Sequence, residues 1–398
     1  MNKRKVPKIR FKGFHDDWEQ RKFTDIVTEK LTNGVMNRQS ESPSDLKHIN
    51  VINMYTPDKI HVEDLTDSSW DESAVKKCNV QVGDIFLTRS SLKPEGIAEA
   101  NVLLDSGRFV FDDHLIKMRV DQEQYDPFFV KVLLSTKTVK NQFIAKSKQN
   151  AFTTIGQEDI AGSYGVFPVK GEQKKIGIYF QILDHLITLH QRKLEKLKII
   201  KKSMIENCFS KSGEKVPKIR FSGFSDDWEQ RKVREVTDRY DNLRIPVAAS
   251  LRIAGTTPYY GANGIQDYVE GYTHDGEFIL VAEDGANDLK NYPVKCVKGR
   301  IWVNNHAHVL QGKCACADNQ FLAYAISQAD IESLLVGGGR AKLNAETLMD
   351  IELLLPSKDE QTQIGTCLAR LDHLITLHQS KLEKLKMIKK SMLETMFV

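Results

Sequence analysis

Apolar residues recur at every third or fourth position in two long stretches of the chain, residues 178–207 and residues 366–394. This spacing is typical of an α-helix with one apolar face. The first stretch would form a rod of roughly 45 Å. Because an apolar face is unstable in water, we expect the two helices to pack against each other. The predicted packing positions are Leu183, Leu186, Leu194, Leu197, Ile200, Met204, Leu371, Leu374, Leu382, Leu385, Ile388 and Met392.

Both helices belong to an internal duplication. Residues 183–191 return as residues 371–379, and residues 6–22 return almost unchanged as residues 216–232. Each half of the chain therefore runs from a short opening motif through a variable segment to a long helix. Residues 207–215 connect the first long helix to the second opening motif. A connection of the same length would lead from the second long helix, through the joined chain ends, to the first opening motif. This equality predicts a pseudo-two-fold arrangement. We expect a chain opened within 207–215, with its termini joined, to fold.

The two variable segments differ from each other but are of one structural type. Alternating apolar runs predict strands near residues 84–88, 115–120, 277–281 and 300–303, and helices near 126–134 and 319–327. An apolar strand closed by Pro168 or Pro356 ends each segment. Polar loops intervene at residues 89–96, 145–152, 259–264, 283–291 and 337–344, and loops on such scaffolds commonly carry recognition.

These patterns predict an α+β protein with two globular mixed α/β domains separated by two long helices that form a coiled-coil spacer. We place the domains at residues 1–168 and 211–356, and the helices at residues 169–210 and 357–398.

Composition adds loose bounds. The hydrophobic fraction of 41% indicates a folded chain, and the net charge of +4 permits a polyanionic partner without demonstrating one. The scattered cysteines, and the lack of an apolar run long enough to cross a bilayer, lead us to expect a cytoplasmic protein.

Several catalytic signatures are absent from the sequence. There is no phosphate-binding loop of the Gly-x4-Gly-Lys-Ser/Thr type, no Gly-x-Gly-x-x-Gly fingerprint and no Asn/Asp-Pro-Pro-Tyr/Phe segment of adenine methyltransferases. Any such chemistry would belong to a partner.

Two groups of residues raise the question of a metal. Cys314 and Cys316, with Cys296, His306 and His308 nearby, suggest either a zinc site or buried small apolar residues, and the Cys-x-Cys spacing favours the second interpretation. His190 and His378 lie on the apolar helix faces and would fix their register. In an antiparallel pair we expect them towards opposite ends, so no metal site is predicted.

The duplicated helices and the repeated Pro-Lys-Ile-Arg-Phe and Trp-Glu-Gln-Arg-Lys motifs resemble the specificity subunits of type I restriction-modification systems over the whole chain. The second variable segment adds residues 258–264, 283–286 and 302–310, which are similar to motifs of target-recognition domains. The first segment lacks a Tyr-Tyr-Gly-Ala-Asn or Asn-Asn-His counterpart.

The resemblance implies a non-catalytic subunit in which each of two target-recognition domains reads half of a bipartite DNA site, with two antiparallel helices as the spacer. It implies two adenine-N6 methyltransferase subunits and two ATP-dependent nuclease-translocase subunits as partners, with S-adenosylmethionine, ATP and Mg²⁺ bound by those partners and no cofactor bound by this chain. We expect a fixed gap of ~5–7 base pairs, because a rigid spacer holds both half-sites on one face of the DNA about one turn apart.

Polar loop residues are the candidates for DNA contact. Arginine and lysine suit phosphates or guanine, asparagine suits adenine, and an acidic side chain accepts from cytosine. Each residue also has an ordinary alternative as a turn former or a solvated surface charge. The candidates are Arg89, Ser90, Ser91, Lys93, Lys146, Lys148, Asn150, Tyr260, Asn263, Glu283, Asp284, Asn287, Asn304, Asn305, Arg340, Lys342 and Asn344.

Two other functions are compatible with parts of the sequence. A self-contained nuclease would use metal-binding carboxylates such as Asp112, Asp113 and Glu283. A coiled-coil adaptor without sequence-specific DNA binding would use only the helices, but it leaves the unlike loops on a duplicated framework without a purpose.

Overall fold

The computed structural model describes residues 6–210, 214–337 and 341–397. It divides into two compact units, the first with Met1–Lys193 and His378–Val398, the second with Leu194–Leu377. Each unit combines one variable segment with parts of both long helices, whereas the predicted division set the helices apart from the domains.

The first unit contains four small sheets and four short helices in its described part, before the first long helix. Their strand orders are β1-β12, β10-β11-β6, β2-β9-β5-β7 and β4-β3-β8. The elements are β1 Glu19–Lys22, β2 Thr32–Asn33, β3 Leu46–Ile49, β4 Thr66–Asp67, α1 Glu72–Cys78, β5 Ile85–Thr88, β6 Ser90–Ser91, β7 Ala100–Val102, β8 Arg108–Phe111, β9 Leu115–Met118, α2 Pro127–Leu134, α3 Lys137–Lys146, β10 Lys148–Gln149, β11 Thr153–Thr154, α4 Gln157–Ala161, β12 Tyr164–Phe167 and the long helix α5 Lys170–Cys208.

The second unit is built on a six-stranded sheet of order β14-β19-β17-β18-β15-β16, with β13 and β20 forming a separate pair. Its elements are β13 Glu229–Lys232, α6 Val233–Val236, β14 Thr237–Arg239, β15 Ala254–Gly261, β16 Gly264–Val269, β17 His274–Ala282, β18 Val294–Val303, β19 Ala307–Gly312, α7 Asn319–Ser327, α8 Ala345–Met349, β20 Glu352–Leu355 and the long helix α9 Lys358–Thr395. The mixed α/β class and the two long helices are therefore confirmed.

The long helices begin within one residue of the predicted segment starts at 169 and 357. They run about two turns ahead of the apolar repeat at 178 and 366, through Gly177 and Gly365. A Cβ on Gly177 would lie 2.7 Å from Oδ1 of Asp126, and a Cβ on Gly365 would lie 2.7 Å from the backbone nitrogen of Phe321. These glycines are needed because the start of a shorter helix, α2 or α7, packs directly on the backbone of the long helix.

Within each unit the two long helices run antiparallel. In the first unit Asp184 of α5 pairs with Lys389 of α9 at 2.6 Å, and further along α5 His190 meets His378 with Nδ1 to Nδ1 at 2.7 Å. In the second unit Lys201 pairs with Asp372 at 2.6 Å. The expectation that the two histidines lie at opposite ends was wrong, because equivalent positions meet where two antiparallel copies are paired about their middle.

The predicted apolar stripe is partly wrong. Leu183, Leu194, Leu197 and Leu382 are buried, and Met204, Leu371, Leu385 and Met392 are half-buried. Leu186, Ile200, Leu374 and Ile388 are instead exposed at 37%, 48%, 37% and 42%. A seven-residue repeat drifts by about 20° per heptad on a straight helix, so a single stripe does not stay on one buried face.

The structure also bears on the predictions made for the cysteines and for membrane-spanning helices. Cys314 and Cys316 are exposed in the turn between β19 and α7, and Cys296 is half-buried, so the prediction of buried thiols was wrong for the Cys-x-Cys pair. No helix in the described ranges combines the length and the apolar character needed to cross a bilayer.

Candidate nucleic-acid interface

In the first unit, a small sheet gathers the candidate residues from two loops. Ser90 and Ser91 of β6 pair with Thr154 and Thr153 of β11, and β11 pairs in turn with Lys148 and Gln149 of β10. The loops named separately from the sequence therefore form one surface.

Arg89 is anchored through its backbone at the edge of that surface. Its N–H donates to the carbonyl of His114 at 2.8 Å, and its carbonyl accepts from the N–H of Ile155 at 3.0 Å. The side chain of Arg89 stays exposed. A fixed backbone with an exposed guanidinium suits contact with a phosphate or a guanine.

The remaining side chains of this surface are also available to a ligand. Lys93, Lys146, Lys148 and Asn150 are exposed. Sequence reasoning missed two apolar neighbours, Leu92 and Phe152, which are exposed at 80% and 56%. Their position in polar loops was the available signal, because a large apolar residue at a solvated loop tip calls for an explanation.

The second unit repeats this backbone arrangement with other residues. The N–H of Glu283 donates to the carbonyl of His306 at 2.9 Å, and the N–H of Leu343 donates to the carbonyl of Glu283 at 2.7 Å. Single bridges link Asp284 and Val336 to Lys342. Glu283 therefore takes the place of Arg89, and the loop around Lys342 takes the place of the β10-β11 hairpin.

Both units also share a turn, which lies between β8 and β9 in the first unit and between β18 and β19 in the second. In the second unit the side chain of Asn304 accepts from the N–H of His306 at 2.8 Å. In the first unit the side chain of Asp112 accepts from the N–H of His114 at 2.8 Å. The structure thus provides the Asn-Asn-His counterpart that the first segment was expected to lack, as Asp112, Asp113 and His114, whose carboxylates replace the amides.

Ion pairs hold Glu283 in place. Its carboxylate lies 2.7 Å from Arg244 and 2.9 Å from Lys342. Burial opposes ionisation, but the hydrogen bonds from Lys342 and Arg244 outweigh it and lower the pKa of Glu283. The carboxylate therefore stays charged and engaged by cations, which points to a positioning role for Glu283.

A buried histidine extends this network. His308 lies 2.7 Å from Asp241, and its other ring nitrogen lies 2.9 Å from the carbonyl of Leu343. Burial alone would raise the pKa of Asp241. The hydrogen bonds from His308 and from the N–H of Val309 together have the larger effect, so the pKa of Asp241 is lowered. Sequence reasoning missed Asp241 and Arg244, which lie far from the loops along the chain and carry no local signal.

Three other candidates support the loops through hydrogen bonds or burial. Asn263 donates to the carbonyl of Gly285 at 2.9 Å and accepts from the N–H of Asn287 at 2.9 Å. Asn304 and Tyr260 are buried. A buried amide or phenol offers little surface to a base edge, so Asn304 and Tyr260 hold the shape of the loops. Asn263 is exposed, and its two hydrogen bonds join its loop to residues 285–287.

The other candidates of the second unit differ in exposure. Asn287, Asn305, Lys342 and Asn344 are exposed, and Asp284 lies 2.5 Å from a ring nitrogen of His306. Arg340 lies outside the described residues. The roles of all these residues in DNA contact stay predictions.

Comparisons with known proteins agree with this arrangement. The family model of the type I restriction modification DNA specificity domain matches residues 225–387. A predicted type I restriction enzyme specificity subunit of Haemophilus influenzae is 44% identical over 146 residues, which cover 37% of this chain and 38% of that protein. A predicted type I restriction enzyme specificity subunit of Methanocaldococcus jannaschii is 25% identical and covers 95% of this chain and 92% of its own length.

A solved structure shares the fold. The type I restriction-modification S subunit from M. genitalium matches with a TM-score of 0.70 and 14% identity, and the match covers 99% of each chain. The family model and the relatives agree in kind: the chain is similar to the DNA specificity subunits of type I restriction-modification systems, and it shares the fold of a solved S subunit.

Proposed function

We propose that each unit of this chain reads one half of a bipartite DNA site on behalf of a type I restriction-modification complex. One observation carries the proposal: the two units hold equivalent loops by the same backbone hydrogen bonds, as at Arg89 and Glu283, yet the side chains on those loops differ. A common scaffold with different reading side chains is what two different half-sites require.

The exposed residues divide by chemistry. In the first unit Arg89, Lys93, Lys146 and Lys148 supply positive charge, which favours phosphate contact and salt-dependent affinity. In the second unit the amides of Asn287, Asn305 and Asn344 suit the donor and acceptor pattern of adenine in the major groove. Glu283, Asn263 and Asn304 position the loops in this proposal.

The long helices set the gap between the half-sites, which we expect to be ~5–7 base pairs on one face of the duplex. Adding one heptad to both α5 and α9 should lengthen the gap while the two half-site sequences stay the same. Altered half-sites with an unchanged gap would contradict this role. The methylated motif reports both quantities at once.

Catalysis belongs to partners in this proposal. Two adenine-N6 methyltransferase subunits, with S-adenosylmethionine, and two nuclease-translocase subunits, with ATP and Mg²⁺, would assemble with this chain in the cytoplasm. Exposed apolar residues on the helices suit docking of helical partners. They include Ile178, Ile182 and Leu189 on α5 in the first unit, and Leu374 and Leu377 on α9 in the second.

The test is to express the chain with its methyltransferase subunit in an unmethylated host and to map N6-methyladenine across the genome. We expect methylation at a two-part motif with a fixed gap that requires both subunits. Arg89→Ala with Lys148→Ala should weaken or relax one half of the motif only, and Asn305→Ala should affect only the other. A co-purifying complex that methylates nothing would favour the adaptor function.

A further inference from the structure

The turn between β8 and β9 brings two carboxylates and an imidazole together. Nδ1 of His114 lies 2.9 Å from Oδ1 of Asp112 and 3.0 Å from Oδ1 of Asp113. One ligand atom from each of the three residues lies within 4.8 Å of the others. Acidic surface turns are common, so this cluster alone indicates nothing.

A second residue faces the same cluster from inside the unit. His48 lies on β3, which pairs in parallel with β8, and it is 0% exposed. Neither of its ring nitrogens has a hydrogen-bond partner. Its Nε2 lies 3.9 Å from Oδ2 of Asp112, which is too long for a hydrogen bond. A buried imidazole left without a partner is costly and calls for a ligand.

We propose that His48, Asp112, Asp113 and His114 bind one Zn²⁺ ion. Two imidazole nitrogens and two carboxylate oxygens match the tetrahedral preference of Zn²⁺, whereas Mg²⁺ and Ca²⁺ prefer six or more oxygens. Asp113 and His114 have side chains 45% and 65% exposed, so they are able to rotate towards an ion held by the two more buried ligands.

The ion would stabilise the turn that anchors the backbone of Arg89. The carbonyl of His114 accepts the N–H of Arg89 at 2.8 Å, and the N–H of Asp112 donates to Ile49 on β3 at 3.0 Å. Zn²⁺ would also cancel the charge of two adjacent carboxylates beside a surface proposed to meet DNA phosphates. This consequence for DNA reading rests on the proposed function, whereas ion binding itself does not.

The second unit provides an internal control. Its equivalent turn carries Asn304, Asn305 and His306, and His306 is held by Asp284 at 2.5 Å. Neutral amides are poor ligands for Zn²⁺ compared with carboxylates. One ion per chain is therefore expected, in the first unit.

The test uses the full chain, stripped with a chelator and titrated with Zn²⁺ by calorimetry in the presence of a competing chelator. The same titration is run with Cys314→Ser and Cys316→Ser, because exposed thiols bind zinc independently. We expect one Zn²⁺ per chain to remain in the cysteine variant, and Co²⁺ in its place should give the visible absorption of a tetrahedral site.

The deciding double variant combines Asp113→Asn with His114→Gln. Both side chains are exposed, so the variant should fold normally, as measured by circular dichroism. Its affinity for Zn²⁺ should fall by more than about tenfold, whereas His306→Gln should leave the affinity unchanged. An affinity within about twofold of the parent in the double variant would overturn the site, as would displacement of Zn²⁺ by millimolar Mg²⁺.

The link to DNA reading has its own readout. In the methylation assay, the double variant should relax the half of the motif read by the first unit and leave the other half intact. Loss of zinc with both halves unchanged would overturn that link. Loss of methylation in the parent as well would instead count against the proposed function.

Discussion

The two units share a framework down to single contacts, yet their variable segments have different sheets. Arg10 binds the buried Glu172 at 2.7 Å, and Arg220 binds the buried Glu360 at 2.7 Å. The first segment spreads over several small sheets, whereas the second forms one six-stranded sheet. The comparison shows that the framework specifies how a segment is attached and leaves its internal topology open.

The attachment is aromatic as well as ionic. Trp18 packs edge-on against Phe129 and Phe397, and Trp228 packs in the same way against Phe321 and Phe209. Each cluster joins an opening motif, a short helix of the variable segment and the end of a long helix.

The largest effect should come from breaking these clusters. Phe129→Ala and Phe321→Ala should each destabilise their unit by about 3–5 kcal/mol, because each leaves a cavity among buried rings. Calorimetric unfolding of the full chain measures both. The exposed Phe152→Ala is the matched control and should change stability by less than about 0.5 kcal/mol. A much smaller loss for only one of the two core variants would show that the clusters are not equivalent.

The units should also respond to alkaline pH in opposite directions. In the first unit burial lowers the pKa of Lys131 from 10.5 to about 8, despite the nearby Asp184. Between these values the unfolded chain binds more protons than the folded chain, so stability rises with pH, by up to about 3 kcal/mol. Lys131→Met should abolish this rise in denaturant unfolding measured from pH 7.5 to 10.5.

The second unit carries a tyrosine near the corresponding helix aspartate. Burial and the hydrogen bond to Asp372 raise the pKa of Tyr324 above its ordinary value of 10. The folded unit keeps this proton where the unfolded chain releases it, so stability should fall as the pH rises above 10. Tyr324→Phe should remove that fall in the same unfolding series. A fall that persists unchanged in this variant would exclude Tyr324 as its cause.

The smallest effect is expected from moving the chain ends. The N–H of Ile9 donates to the carbonyl of Thr395 at 3.0 Å, just as the N–H of Ile219 donates to the carbonyl of Asn207 at 2.9 Å. A permutant opened within residues 207–215, with its termini joined, should therefore keep the fold and unfold within about 1 kcal/mol of the parent. An insoluble or unfolded permutant would contradict the equivalence of the two junctions, Ile9 with Thr395 and Ile219 with Asn207.

Sequence reasoning recovered the regular parts of the fold. The period of the long helices, the proline-started α2 and the apolar β5 and β17 follow from local patterns that packing did not override. The hairpin of β15 and β16 was missed because Pro258 and several glycines interrupt it, and such residues usually mark loops. The apolar repeat alone begins about two turns inside each long helix, because the turns around Gly177 and Gly365 serve a close contact that is not visible in the sequence.

The sequence predicted which loops form the candidate site, but it predicted the roles of their side chains less well. The loops around Arg89 and Glu283 do carry equivalent surfaces, because polar residues between buried strands have few other places to lie. The sequence did not reveal that Glu283 is held by Arg244, or that His48 faces Asp112. Such contacts depend on which strands become neighbours, and no local pattern encodes that choice.

The close contact at Gly177 and Gly365 has a consequence for how new specificities arise. A foreign segment needs only an aspartate-capped helix, like those begun by Asp126 and Asp318, whose first turn fits against a bare helix backbone. This requirement fixes a few positions and leaves the remaining sequence of the segment unconstrained. A whole variable segment is therefore exchangeable without any change to the long helices.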